Sequence, residues 1–446
     1  MRIGIIGGGV AGMAAAYRLT QQGHRVALYE ASPYLGGLVR TFEIGGNRLE
    51  AFYHHVFSTD TTIVSLIEEL GLGDRMTWRD SKVGFYSGGK IYNFVTPTDL
   101  LKYKPAPLLD RVRMGLAAVY LRRQKDGTRY ESITATEWIK RYMGKGAYDA
   151  VWGPLLRGKF GDFHDELAMV WLWNKIYLRF ASRTGVVQKE QLGYLQGSFG
   201  VYIEELERRL RSSDLCEINT GSAVREVVVE DGRARGLMLA DGARADFDAV
   251  IACMPAHVFQ KLAPQLPPDY VEKLTSTKWL SAMCYIMALK RPLSDIYWMN
   301  IGEDDVPFIA AIEHTNFIEP EQYNGLNIVY LSNYLRPDHP YLEMDIEQVE
   351  REYLPHVRKI NPEFSEDWIA DRWLFKGPYA QPVVTIGYRE KIPEHRTPVP
   401  GLYLATMSQI YPEDRGQNYS IKMGEAVAAM AVEDLDRAPA ATAAVS

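Results

Sequence analysis

Arg2-Ile3-Gly4-Ile5-Ile6 runs straight into Gly7-Gly8-Gly9-Val10-Ala11-Gly12, and this stretch decides how the chain begins to fold. The first five residues predict a short buried strand, residues 13–22 have helical composition, and Gly23 stops that helix. Residues 25–29 predict a second strand that ends at Glu30. Strand, glycine turn, helix and strand within about thirty residues is the length of one βαβ unit. Each glycine then has a physical task. Gly7 permits the tight turn, Gly9 lets the backbone approach a pyrophosphate, and Gly12 lets helix and sheet pack closely. The helix start at Val10 and Ala11 offers free N–H groups and a positive dipole end to phosphates. Glu30, with Ala31 behind it, can accept hydrogen bonds from both ribose hydroxyls, and its charge disfavours a 2′-phosphate. The unit predicts a Rossmann-like dinucleotide site in an α/β fold.

The chain has 446 residues, too many for one hydrophobic core, so more than one domain is expected. Hydrophobic residues make up 47% and charged residues 24%, an ordinary globular balance. A net charge of -6 argues against a nucleic-acid partner, which would call for a basic face. Cys216, Cys253 and Cys284 lack paired spacing, so neither a disulfide framework nor a metal site is expected. The apolar start could pass for a secretion signal, but Gly7, Gly8, Gly9 and Gly12 break it at positions the nucleotide turn explains. No run of about twenty apolar residues predicts a spanning helix. A cytoplasmic location follows as the expectation. The oligomeric state is not legible.

Further along, residues 96–183 are helix-rich, with amphipathic candidates at 107–123 and 135–143 and an aromatic stretch at 171–180. A glycine-containing turn at Gly197-Ser198-Phe199-Gly200 leads into a helix over 201–211. Strands follow at 223–229 and 234–239 around an Asp231-Gly232 hairpin turn, then at 246–253, with Met254-Pro255 closing it. Residues 281–373 mix strands at 284–289 and 328–331 with a helix over 346–359. An apolar strand at 401–405 and a helix over 420–435 complete the pattern. The expected division is a discontinuous nucleotide domain of 1–75 with 195–265 and 395–436. A substrate domain of 76–194 with 266–394, including a helical cap, makes up the rest, with 437–446 as a flexible tail.

Leu35-Gly36-Gly37-Leu38-Val39-Arg40-Thr41, directly after Glu30, resembles the Gly-Gly-Arg-x-Arg-Thr run of the superfamily of protoporphyrinogen oxidases, flavin amine oxidases, phytoene desaturases and UDP-galactopyranose mutases. The resemblance implies FAD, with Gly36, Gly37, Leu38, Arg40 and Thr41 wrapping its phosphates and ribitol. Leu38 departs from the family's Arg or Lys, while Arg40 matches the second basic position. The later segments are looser matches carried by their order. Residues 224–227 sit where the family holds adenine between backbone groups, which implicates Val224. Asp246-x-x-x-Val250-Ile251-x-x-x-Pro255 resembles the strand returning under the cofactor, which brings in Met254. Gly401-Leu402-Tyr403-Leu404-Ala405 resembles the closing FAD segment, with Thr406-Met407 in place of the family's Gly-Asp. The implied fold is a Rossmann-like FAD domain with a mixed-sheet substrate domain and a helical cap.

His55-Val56-Phe57-x-Thr59-Asp60 resembles a run of the mutases and desaturases that lies against the isoalloxazine ring, which implies His55 near N5; His54 reads as a partly exposed loop histidine. A neutral-range histidine there could tune the flavin. Tyr411, Asp414 and Asn418 lie where the closing loop would meet the flavin edge, Tyr419 follows as a further cofactor residue, and Arg415 in the same run is a candidate catalytic positive charge. Glu313-His314 also looks mutase-like, but Ala310 stands where the mutases carry a diphosphate-gripping arginine. The amine oxidases' substrate-domain lysine has no counterpart in residues 281–289, and Lys278 just before them is a poor substitute. Trp171, Trp173, Tyr177 and Phe180 suit a pocket wall or, better, the packed face of one helix. The helix over 107–123, ending Arg122-Arg123-x-Lys125, reads as a solvated helix end, with peripheral membrane contact as the other reading.

Three functions stay open. The first is an FAD-dependent oxidoreductase, amine oxidase- or protoporphyrinogen oxidase-like, that takes a hydride from a small organic substrate onto flavin N5. The second is a non-redox sugar-nucleotide mutase, which calls for an arginine pair beside the flavin. The third is a non-catalytic flavin scaffold, which calls for a cleft closed by bulky side chains.

Overall fold

A computed structural model describes residues 1–181 and 191–437. Five parallel strands form the first sheet, in the order Cys216–Thr220, Arg25–Glu30, Arg2–Ile6, Ala249–Ala252 and Leu402–Leu404. Three widely separated parts of the chain therefore meet in one sheet. Ile3, Ile5, Leu28, Val250 and Ile251 are fully buried because both faces are covered. The helices Val10–Gln21 and Gln417–Arg437 pack on one face, and a three-stranded antiparallel sheet (Val224–Glu230, Arg233–Leu239, Arg244–Asp246) adjoins the other.

The second large sheet has seven strands, from Ile369–Pro382 at one edge through Trp279–Leu289, Asn327–Leu335, Ala310–Glu313, Trp298–Ile301 and Val83–Ser87 to Lys90–Asn93. Its pairings are antiparallel except for the parallel match of Trp298–Ile301 with Val83–Ser87. Trp279–Leu289 is buried along its whole length, since helices cover one face and the first domain lies against the other. Helices Leu108–Arg122, Ala135–Tyr142, Gly153–Phe160 and Met169–Ala181 form a cap around a separate aromatic core. The architecture is the expected α/β arrangement of a Rossmann-like domain, a mixed sheet and a helical cap.

Several local expectations need correction. The strand expected over 246–253 is two elements, because Asp248 accepts the Arg2 N–H at 2.7 Å and Phe247 packs edge-on to Tyr29. Arg244–Asp246 joins the antiparallel sheet and Ala249–Ala252 the parallel one. The long strand Ile369–Pro382 went unforeseen; Asp371, Arg372, Gly377 and Pro378 hide it, and an edge strand tolerates all four. The closing helix begins at Gln417 rather than at 420. Leu108–Arg122 is not a plain solvated helix end. Leu108, Leu109 and Leu116 are 61%, 69% and 66% exposed, with Val112 and Val119 on the same side. Trp173 and Tyr177 do pack within the cap, against Tyr130 and each other, whereas Trp171 faces a cavity. The side chain of Phe180 and the tail over 438–446 lie outside the described residues. Among the described residues no helix is long and apolar enough to cross a membrane.

The first turn is held by backbone contacts that leave no room for a side chain. A Cβ on Gly12 would meet the Gly7 carbonyl oxygen at 2.0 Å, and one on Gly424 would meet that of Ala11 at 2.2 Å. Gly424→Val is therefore expected to destabilise the protein by about 2–3 kcal/mol through overpacking against rigid backbone. Urea unfolding of the purified variant checks this, and an unchanged midpoint would contradict so close a helix approach.

Candidate active site

The carboxyl ends of all five parallel strands open onto a cavity of about 490 Å³. Ile6 and Gly7 reach it from the first strand, Tyr29, Glu30 and Ala31 from the second, and Ser222, Ala223 and Val224 from beyond the third. Cys253, Met254 and Pro255 follow Ala249–Ala252, and Thr406 and Met407 follow Leu402–Leu404. The strand order reverses direction between Arg2–Ile6 and Ala249–Ala252, which is where such sheets bind ligands.

The glycines divide the work. Gly7 has φ +103°, and a Cβ there would sit 2.3 Å from the Cys253 carbonyl oxygen, so it is fixed by turn and strand approach. A Cβ on Gly9 would meet nothing within 4 Å, which leaves open space at the start of the helix where Val10 and Ala11 line the cavity. Gly12 does not line this cavity, being packed against Gly7 and Ile5. Gly36 donates its N–H to the Gly8 carbonyl at 2.9 Å, and this sets Gly36, Gly37 and Leu38 along the rim. The Glu30 carboxylate is held facing inward by the Gly8 N–H at 2.7 Å and by the N–H and hydroxyl of Ser32 at 2.8 and 2.9 Å. An open space over a glycine at a helix start, with a carboxylate at the second strand end, fits a pyrophosphate flanked by a ribose.

Arg40 and Thr41, also expected at the cofactor, do not line this cavity. Arg40 turns away, donating to the Tyr34 hydroxyl at 3.1 Å and the Lys376 carbonyl at 3.4 Å, with its guanidinium near the Phe52 and Phe375 rings. Thr41 starts the strand Thr41–Ile44 and packs beneath Gly200.

The opposite wall comes from the seven-stranded sheet: Ala282 and Cys284, Ser332 to Tyr334, and Pro378 to Ala380. Tyr379 holds a positive φ of 54° there, a strained conformation for a tyrosine. A second cavity of about 400 Å³ adjoins the first and reaches under the cap. The two share Tyr53, His54, Tyr334, Arg415, Gly416 and Gln417. Most of the second lining is apolar and aromatic, including Phe85, Phe94, Trp152, Phe160, Trp171 and Trp298.

His54 therefore stands at the junction, whereas His55 lines the second cavity alone. His55 Nδ1 lies 3.3 Å from the Tyr297 hydroxyl, and its ring meets Phe57 and Trp298 edge-on. Burial lowers the pKa of His54 to about 4, helped by Arg415, and that of His55 to about 3, so both are neutral near pH 7. Arg415 faces both cavities, donates to the Tyr334 hydroxyl, and leaves its buried Nε without a partner.

Tyr411 lines neither cavity. Its ring stacks on Tyr388 with Arg389 against it, which removes it from the candidate catalytic set. Asn418 and Tyr419 line the second cavity and not the first, because the early helix start turns Asn418 to accept the Ile63 N–H at 3.1 Å. Glu313 and His314 are buried away from both. Glu313 accepts the N–H groups of Leu293 and Ser294, His314 pairs with the Tyr323 hydroxyl at 2.9 Å, and burial raises the Glu313 pKa to about 7. Ala310 does line the second cavity. Lys278 lines neither cavity and pairs with Glu166 at the surface.

Unforeseen in the sequence is a charged cluster at the second cavity. Asp414 accepts Lys159 at 3.2 Å and Lys175 at 2.6 Å on one oxygen, and Trp171 Nε1–H and Gln381 Nε2–H, both at 3.1 Å, on the other. Lys159 and Lys175 sit on separate cap helices about 250 residues before Asp414, so no local pattern could reveal them.

A family model described as flavin containing amine oxidoreductase matches residues 10–413. A "Probable zeta-carotene desaturase" of Synechococcus elongatus is 22% identical over 91% of this chain and 93% of its own length. A coproporphyrinogen III oxidase of Mycobacterium leprae is 26% identical over 67% and 69%. Among solved structures, a provisionally named protoporphyrinogen oxidase from Exiguobacterium sp. superposes with a TM-score of 0.75 at 20% identity, covering 97% of this chain and 99% of that one. A reduced UDP-galactopyranose mutase does so with 0.74 at 17% identity, covering 97% and 95%. These structural likenesses speak to the fold.

Because the space above Gly9 is open, Gly9→Val should leave the fold intact while blocking the pyrophosphate. The expected outcome is a protein with unchanged circular dichroism and no retained flavin absorbance. Full flavin retention would sink the assignment of this cavity.

Proposed function

This chain belongs to the flavin containing amine oxidoreductases and is an FAD-dependent oxidoreductase, and on that premise we propose that it takes a hydride from an apolar organic substrate seated in the second cavity. One observation carries the proposal: the two cavities share Tyr53, His54, Tyr334 and Arg415, so a ligand in either would contact the same side chains. Gly7, Gly9, Val10, Ala11, Glu30, Gly36, Gly37, Val224, Met254 and Met407 would hold FAD. When bound there, FAD supplies a two-electron acceptor.

The chain's own part is positioning and exclusion of water. Phe85, Phe160, Trp171 and Trp298 give the second cavity an apolar wall suited to a flat or extended hydrocarbon body. Arg415 places a fixed positive charge at the junction, held by Tyr334. His54, neutral at the junction, can donate or accept one hydrogen bond, and it replaces His55 as the histidine assigned to the flavin edge. The mutase reading loses support, since Arg415 is the one arginine among the described residues at the junction and Glu313-His314 is turned into structure. The scaffold reading fares no better, because the cleft is open.

The exposed leucines of Leu108–Arg122 support peripheral membrane contact. Leu108, Leu109, Val112, Leu116 and Val119 share one exposed side of a helix that ends in Arg122 and Arg123, the pattern of an interfacial helix on anionic lipid. Replacing Leu109 and Leu116 together by Glu should abolish co-sedimentation with phosphatidylglycerol vesicles while flavin content stays unchanged. Equal sedimentation of both proteins would dismiss the lipid contact.

For the chemistry, anaerobic mixing with coproporphyrinogen III, a carotene precursor or a primary amine should bleach the visible flavin absorbance with at least one of them. His54→Phe should retain FAD and slow that bleaching by about tenfold or more. No bleaching by any class, together with turnover of UDP-galactopyranose only after dithionite reduction, would overturn the oxidoreductase reading.

A further inference from the structure

The charged groups lining the second cavity are Asp60, Lys159, Lys175, Arg179, Asp414 and Arg415. Arg179 is exposed, and Asp60 accepts the Phe57 N–H at 2.8 Å while its charge also reaches Lys175. The carboxylate of Asp414 faces Lys159, Lys175 and Arg415 together. Its two oxygens are already filled, one by both ammonium groups and the other by Trp171 and Gln381. With Lys159 protonated, three cations face the two carboxylates of Asp414 and Asp60, which leaves net positive charge in a largely apolar chamber, and such charge is costly unless something neutralises it. Lys159 also lies over the rings of Trp171 and Tyr334, at 4.8 and 5.5 Å, so its ammonium is held at the wall rather than free to reach bulk water. Arg415 contributes a buried Nε–H with no acceptor.

We propose that the substrate is an amphiphile whose anionic group, a carboxylate or a phosphate, seats against Lys159 and Lys175, while its apolar body runs along the aromatic wall to the His54–Arg415 junction. This rests on the second cavity being the substrate chamber and adds the chemistry of what enters it. Asp414 is a positioning residue, because it fixes both ammonium groups and cannot itself attract the anion. Burial, with Lys175 and Arg415 adding to it and Asp414 opposing it, lowers the Lys159 pKa to about 7. An arriving anion then favours the protonated amine and tightens as pH falls from 8 to 6. Asp414 lies well below its ordinary value and Arg415 is raised, so these two neighbours of Lys159 hold their charge over this range.

The test uses the FAD-loaded enzyme and three probes: 2-naphthoate, 2-naphthyl phosphate and the neutral naphthalene-2-methanol. Binding is read by equilibrium dialysis and by perturbation of the flavin spectrum. At least one anion should bind about tenfold or more tightly than the alcohol, and which of them does so distinguishes carboxylate from phosphate. The preference should shrink to within about twofold in Lys175→Met and recover in Lys175→Arg; for 2-naphthoate, whose own charge is constant between pH 6 and 8, it should lose its pH dependence in Lys159→Met. Equal binding of anions and alcohol would overturn the proposal, as would a preference that survives the double Lys159→Met, Lys175→Met variant with flavin content intact. Dialysis does not depend on turnover, so a failure of the dehydrogenation reading shows separately, as a flavin that no substrate bleaches.

Discussion

Around the first turn, three carbonyl oxygens occupy the positions that side chains' first carbons would need: Cys253 O against Gly7, Gly7 O against Gly12, and Ala11 O against Gly424. These contacts tie the first strand, the turn, the first helix and the closing helix into one rigid corner. The corner decides where the Val10 and Ala11 N–H groups point and how near the strand ending at Ala252 comes to them. The open space over Gly9 is a by-product of that tight packing, because everything around it is pinned by backbone and nothing there needs a side chain.

The other half of the chamber depends on this corner only indirectly. The seven-stranded sheet presents Ala282, Cys284 and Tyr334 across from the strand ends, and the segment 414–417 is laid between the two sheets by the closing helix. Arg415 and Asp414 are neighbours in sequence, yet each serves a different part of the space. Arg415 stands where the cavities meet, and Asp414 turns outward to gather two lysines of the cap.

What could be read in advance was whatever is local. The βαβ unit depends on residues within one short window, and its strands, turn and Glu30 lie where their spacing puts them. Elements whose identity depends on the partner were harder. Ile369–Pro382 carries charges, a glycine and a proline that only its edge position excuses. Arg40 and Thr41 hold the right places in the run but point elsewhere, since a matching position does not determine a side chain's direction once Phe52, Phe375 and Gly200 compete for it. His54 and His55 differ by one residue, and only the loop's geometry decides which of them meets the junction. The Asp414 cluster joins two cap helices to the closing loop, a meeting that no periodicity announces.

The parallel sheet also dictates an order of events during synthesis. Its central strand, Arg2–Ile6, is made long before Leu402–Leu404 and the helix that seats Gly424 on Ala11. The nucleotide corner therefore cannot close until the segment carrying Gly424 has emerged from the ribosome. Contacts so far apart in sequence make for slow folding, with strand edges exposed in the interval. Cofactor loading is thus a late event, and the wait falls on a nascent βαβ unit that must keep its apolar strands from pairing with the wrong neighbour.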